Sequence, residues 1–213
     1  MPDITWQGYA SFRLRGKDAT IVTDPFDRGL GLEVPRPRAD IVTISRDEPG
    51  HNAEATVKGE PRVLRAPGEY EVKGVFINGV ATFADSKKGA VRGKNTVFVY
   101  ELDDVVICHL GGLGHTLSAA QVEALSDVSV LIVPIGAPDA LDAAKAVEVI
   151  GQIEPAIVIP MMYKTGPETL NLEPLDRFAK EMGLKEWVAQ DKLVIKSSDL
   201  PETTQVVVLE VKS

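Results

Sequence analysis

Seven consecutive residues, Ser45-Arg46-Asp47-Glu48-Pro49-Gly50-His51, bring together two carboxylates, an arginine and one of the chain's three histidines. Two carboxylates and an imidazole in one short loop can hold a hard divalent cation weakly, because carboxylate oxygens and a neutral ring nitrogen are suitable donors. Asp47 and Glu48 are adjacent, however, and a catalytic metal needs donors converging from several loops. Arg46 brings a permanent positive charge into the same loop. A buried, unpaired charge would cost several kcal/mol, so one reading pairs Arg46 and Glu48 with each other or with Glu69 or Asp85, and the other leaves them as two solvated surface charges. Glu48, His51 and Tyr163 are the groups that metal-free acid–base chemistry would use. His109 and His115 are expected to hydrogen-bond structurally, and Tyr163 and Lys164 to be a packed ring and a solvated amine, or the lining of a pocket.

The elements that position these groups are legible in the pattern. Ile4 to Gln7, Ser11 to Arg15 and Ala19 to Thr23 read as short strands separated by Gly8 and Gly16. The apolar run Ile41 to Ile44 is a buried strand that delivers the Ser45–His51 loop to a sheet edge. Further strands are expected at Arg62 to Arg65, Val75 to Phe83, Thr96 to Leu102 and Val105 to Cys108, with Asp103-Asp104 as a tight hairpin turn. A capping box of Ser118 and Gln121 opens the first helix. A strand at Val130 to Val133, a helix from Leu141 to Ile153 and a strand at Ala156 to Ile159 predict a β-α-β crossover between parallel strands. A helix from Leu172 to Met182, capped by Gly183, and strands at Lys192 to Lys196 and Val206 to Val211 complete the chain.

Composition sets bounds on function. The 213 residues suit one domain, and the formal net charge of -8 argues against a general phosphate-backbone binder. The sole cysteine, Cys108, lies in an apolar strand as a small hydrophobe, and it leaves neither a disulfide nor a thiolate cluster. No signal-peptide pattern and no bilayer-length apolar run is present, so cytoplasmic residence is expected.

Several stretches, in order, carry a likeness: Trp6-Gln7-Gly8-Tyr9-Ala10-Ser11-Phe12, Thr23-Asp24-Pro25-Phe26, the Ser45–His51 loop, Ala66-Pro67-Gly68-Glu69-Tyr70-Glu71-Val72 and Arg92-Gly93-Lys94-Asn95-Thr96. Together they resemble the metallo-β-lactamase fold superfamily, specifically the small bacterial zinc-hydrolase branch similar to ascorbate-6-phosphate lactonase. The resemblance runs nearly end to end. It implies an α/β (α+β) chain folded as a four-layer αββα sandwich over residues 1–213. It also implies one or two zinc or manganese ions that lower the pKa of a bound water to about 7 and polarise the scissile group.

The same resemblance marks the ligand positions, and most hold non-ligands here. Where the branch reads Ser-His-Asp-His-Pro-Gly-His, this loop supplies Arg46, Glu48, Gly50 and His51. Where it reads Thr-(Phe/Tyr)-His-Asp, the chain has Ala84; for the bridging aspartate it has Gly112 between His109 and His115; and in Pro160-Met161-Met162-Tyr163-Lys164 the histidine position is Met162. The early Gly-His is Gly8-Tyr9. Only His51 retains a residue that binds metal as the family does, so no metal cofactor is expected.

Three functional classes stay open. The leading one is a catalytically silent member of the fold, a binding or oligomeric module with a small polar or anionic ligand in a pocket formed by Tyr9, Arg46, Asp47, Glu48, His51, Tyr163 and Lys164. A second copy of the chain is a further candidate partner, whereas nucleic acid and membrane are not. The alternative is a metal-dependent hydrolase of a lactone, phosphodiester or amide with a rearranged site, and the third class is metal-free acid–base catalysis.

Overall fold

The glycine-punctuated opening folds as antiparallel strands β1 (Asp3–Gly8), β2 (Ser11–Arg15) and β3 (Thr20–Thr23) in a computed structural model that describes residues 1–166 and 168–212. Strands β4 (Ile41–Thr43) and β5 (Arg62–Leu64) extend this sheet in parallel to β3, and the late strand β12 (Leu193–Val194) pairs with β1 at its other edge. A second sheet begins as an antiparallel meander of β6 (Gly68–Val72), β7 (Val75–Phe83), β8 (Lys94–Leu102) and β9 (Val105–His109). It continues in parallel through β10 (Val130–Pro134), β11 (Ile157–Met161) and β13 (Gln205–Val206). The result is a six-stranded and a seven-stranded sheet with few helices, the mixed α+β architecture of the expected αββα type.

Local chemistry explains most boundaries. Asp103 and Asp104 both take positive φ, 49° and 63°, as a two-residue turn between right-twisted strands requires. Helix α1 (Ala119–Glu123) starts at the expected capping box, with the Ser118 and Gln121 side chains serving each other's backbone. Helix α2 (Ala143–Ile153) forms the crossover between β10 and β11; it starts two residues later than its apolar pattern because the Asp142 side chain accepts the Lys145 N–H and caps it. Helix α3 (Leu175–Glu181) is shorter than the Leu172 to Met182 expectation. Pro174 stands at its N-cap in extended conformation, and a proline keeps the residue before it out of the helical region. The strands expected at Lys192 to Lys196 and Val206 to Val211 reach the ladder only at Leu193–Val194 and Gln205–Val206. Strand β6 was not expected from the sequence; it lies at the sheet edge, with Tyr70 and Val72 half-buried against the core and Glu69 and Glu71 exposed.

Alternation divides the core. Ile21 and Ile41 join the main cluster between the sheets, while their neighbours Val22 and Val42 join a small cluster with Ala39, Ile44 and Val57 on the opposite face. Burying each such aliphatic side chain stabilises the fold by about 1.5–3 kcal/mol. Because β3 and β4 are parallel, and β9, β10 and β11 are parallel, the loops that follow them leave from the C-terminal edges of their sheets. In open α/β sheets this edge is where sites form. The Thr96 N–H donates to the Ser45 carbonyl and joins the two edges at 2.9 Å. No helix among the described residues is long and apolar enough to cross a membrane.

Candidate functional site

Asp24, the first residue after β3, is the anchor of this edge. It is fully buried and adopts a left-handed backbone with φ 38°. One carboxylate oxygen accepts the Ser45 N–H at 2.7 Å, and the other accepts the Ser45 hydroxyl at 2.5 Å and the His51 Nδ1–H at 2.8 Å. Burial alone would raise the Asp24 carboxyl, but the electrostatic pull and hydrogen bond of His51, the nearby His109 and the Ser45 hydroxyl hold it below the ordinary carboxylate value. His51 therefore turns its Nε2 away from Asp24, and that atom is buried without a partner. A histidine with one nitrogen on a carboxylate and the other free is the arrangement in which metal-binding histidines are held.

Arg46 fills the centre of the site. Its side chain is 5% exposed; Nη1 donates to the Asp139 carboxylate at 2.8 Å, Nη2 donates to the Arg92 carbonyl at 3.4 Å, and Nε has no partner. A Cβ placed on Gly112 would lie 2.5 Å from Arg46 Cδ and 2.8 Å from Nη1, so the arginine occupies the space into which an aspartate at that position would project. Tyr9 stands opposite Gly50. A Cβ on Gly50 would lie 3.0 Å from the Tyr9 ring, whose face meets the His51 edge at a centroid distance of 5.5 Å. Gly112, matched by the resemblance to a carboxylate position, thus faces Arg46, while Gly50, a glycine in the family pattern as well, faces the Tyr9 ring. Burial pushes the Tyr9 phenol upward, with Asp139 adding to the shift and Arg46 opposing it.

The remaining positions close the shell without donors. Ala84 and Met162 are fully buried, and Met162 holds a left-handed backbone, φ 57°, while its N–H donates to the Tyr9 carbonyl at 3.2 Å. Non-glycine residues at positive φ cost about 1–3 kcal/mol and cluster at functional sites; Tyr9, Asp24 and Met162 are three such residues at one edge. Asn95 fixes the Gly111-Gly112 turn by accepting the Gly112 N–H at 2.9 Å and donating to the Leu110 carbonyl at 2.9 Å.

The ion-pair reading of Arg46 holds, but not with the expected partners. Asp139 supplies it from the loop after β10, whereas Glu48 and Glu69 are exposed and Asp85 accepts the backbone N–H groups of Lys87, Gly89, Val91 and Arg92. Of the residues named as pocket lining, Tyr9, Arg46, His51 and Tyr163 are each buried, while Asp47, Glu48 and Lys164 face solvent. Tyr163 packs on Trp6 at 5.0 Å. His109 donates from Nε2 to the Ala10 carbonyl at 2.8 Å, and burial lowers its pKa. His115 donates from Nδ1 to the Thr116 carbonyl and accepts the Phe83 N–H at Nε2. Asp139 and Asn95 were missed as site residues. The signal for Asp139 was an acid just past the Gly136-Ala137-Pro138 turn that follows a buried parallel strand.

The donor set does not fit the divalent metal that the family resemblance implies. Among the described residues, no group of three or more His, Cys, Asp or Glu side chains could hold one. Arg46 also places a fixed positive charge at this sheet edge, which disfavours a cation beside it.

Residues 3–162 match a family model described as a beta-lactamase superfamily domain. The chain is 26% identical over 188 residues to the UPF0173 metal-dependent hydrolase of Thermoplasma acidophilum, covering 76% of this chain and 83% of the relative. It is 40% identical to the crystal structure of a candidate Zn-dependent hydrolase of the metallo-β-lactamase superfamily from Thermotoga maritima, with a TM-score of 0.82 and 100% of both chains covered. A metallo hydrolase from Ignicoccus hospitalis shares the fold at 18% identity and a TM-score of 0.66, over 92% of this chain and 99% of that one.

Proposed function

Because the chain belongs to the β-lactamase superfamily of the metallo-β-lactamase fold, whose relatives compared above are named as metal-dependent hydrolases, we propose that it is a member in which a side-chain cation has replaced the metal centre. The observation that carries this reading is the Arg46 guanidinium lying in the volume above Gly112. Hydrolysis in this superfamily relies on a metal to generate hydroxide near neutral pH and to polarise the scissile group. Arginine does neither, because it stays protonated and has no lone pair to offer. The protein then acts as a binding or oligomeric module that keeps the strained strand-end scaffold. Its partners under this reading are a small anionic ligand or a second copy of the chain, in the cytoplasm.

A metal-dependent hydrolase with a rearranged site is the second reading, and the observation on its side is His51, held by Asp24 with Nε2 unpartnered. Stability separates the two. A metal bound to the folded state adds RT ln(1 + [L]/Kd) to stability. A strong chelator is therefore expected to leave the melting temperature of the purified protein unchanged, and a drop of several degrees would favour the rearranged hydrolase.

A further inference from the structure

We propose that the cleft beside Arg46 binds a small oxyanion, a phosphate or carboxylate group, in exchange for the Asp139 carboxylate. The proposal rests on the reading of Arg46 given above and names the ligand class of that site. A cavity of about 410 Å³ opens there, within the roughly 300–1,000 Å³ typical of small-molecule sites. Its floor adjoins the old ligand positions. A Cβ on Gly114 would come within 2.1 Å of the Ala84 carbonyl, and one on Gly136 within 3.2 Å of the Met162 carbonyl.

The charge balance of the cavity favours an anion. Lys87, Arg92, Lys145 and Arg177 all line it. Of the acids beside them, Asp85 gives both oxygens to four backbone N–H groups, Asp142 caps α2 and pairs with Lys145, and Glu173 pairs with Arg177. Lys87 and Arg92 pair with no carboxylate among the described residues. Four bases against three acids leave one positive charge in excess at this mouth, in a chain whose net charge is -8.

Neither Arg46 nor Asp139 lines this cavity; Arg46 lies behind its wall, bonded to the Arg92 carbonyl and to Asp139, whose neighbours Pro138 and Ala140 line it. A guanidinium offers a fork of N–H donors matched to carboxylate or phosphate. Here only Nη1 meets a carboxylate, Nε is unpartnered, and the Asp139 side chain is 37% exposed. Asp139 is thus a carboxylate of the chain itself, held at the end of a buried arginine and open to replacement by one from solution.

The test is calorimetric titration with inorganic phosphate, and in parallel with acetate, on dialysed protein of measured metal content. The anion that binds more tightly identifies the group. Removing the competing carboxylate by Asp139→Asn is expected to tighten the apparent affinity by about tenfold, since a site occupied by its own chain binds in proportion to its free fraction. Arg46→Met is expected to abolish binding. If that variant does not fold, Arg92→Gln on the exposed loop is expected to weaken binding by roughly threefold, the scale of an exposed charge contact. Metal-free protein in which Asp139→Asn binds neither anion more tightly than wild type overturns this proposal and leaves the metal-free reading standing. Stoichiometric metal overturns both.

Discussion

Asp24→Ala is expected to cost about 3–5 kcal/mol of folding stability, a large share of the roughly 5–15 kcal/mol that holds an ordinary domain folded. The carboxylate receives three donors, the Ser45 N–H, the Ser45 hydroxyl and the His51 Nδ1–H, in a place closed to solvent. Alanine leaves all three buried and unsatisfied, and at φ 38° it gains nothing from the backbone. Asp24→Asn keeps one acceptor oxygen and tolerates the left-handed backbone, so its loss should be smaller. The acid limb carries a second signature. A depressed carboxyl contributes stability that is present above its ordinary value of 3.8 and is lost as pH falls through the lower folded value. Asp24→Asn should therefore flatten stability over that acidic interval. Urea denaturation across pH reads both effects, and an alanine variant within about 1 kcal/mol of wild type would show that Asp24 is not the anchor of this edge.

Gly112→Ala is the second large effect, and its size depends on Arg46. The added methyl would meet Arg46 Cδ at 2.5 Å, and the arginine is not free to swing away while Asp139 and the Arg92 carbonyl hold its tip. The substitution is expected to cost about 2–3 kcal/mol, the range of overpacking in a filled interior. In an Arg46→Ala background the same methyl enters open volume and should cost less than about 0.5 kcal/mol, which gives a coupling of about 1.5 kcal/mol or more. Additive effects in the double-mutant cycle would mean that Arg46 does not occupy the volume above Gly112.

The fold was legible where local chemistry sets it. Ser118 with Gln121, Asp103-Asp104 and the apolar runs around α2 each carry their structure in a few adjacent residues. Strand β6 was not, because its alternation is only two apolar residues long, Tyr70 and Val72, behind the Ala66-Pro67-Gly68 turn residues. That Ala84, Gly112 and Met162 carry no donor side chain is legible in the sequence, whereas the contacts around them are not. Asp139 reaches Arg46 across 93 residues of chain, and only the meeting of the loops after β4 and β10 brings the two together. Glu48, closer in sequence, sits on the exposed side of its turn and has no route inward. The substitution of Tyr9 opposite Gly50 likewise makes sense only once the ring is seen filling the space beside that glycine.

Under the proposed reading, Arg46 over Gly112 stands where the metal centre would be. The metal content of the purified protein after incubation with zinc or manganese and removal of excess, read by elemental analysis, tests this most directly. Occupancy well below one ion per chain is the predicted result. One tightly held ion per chain would contradict it.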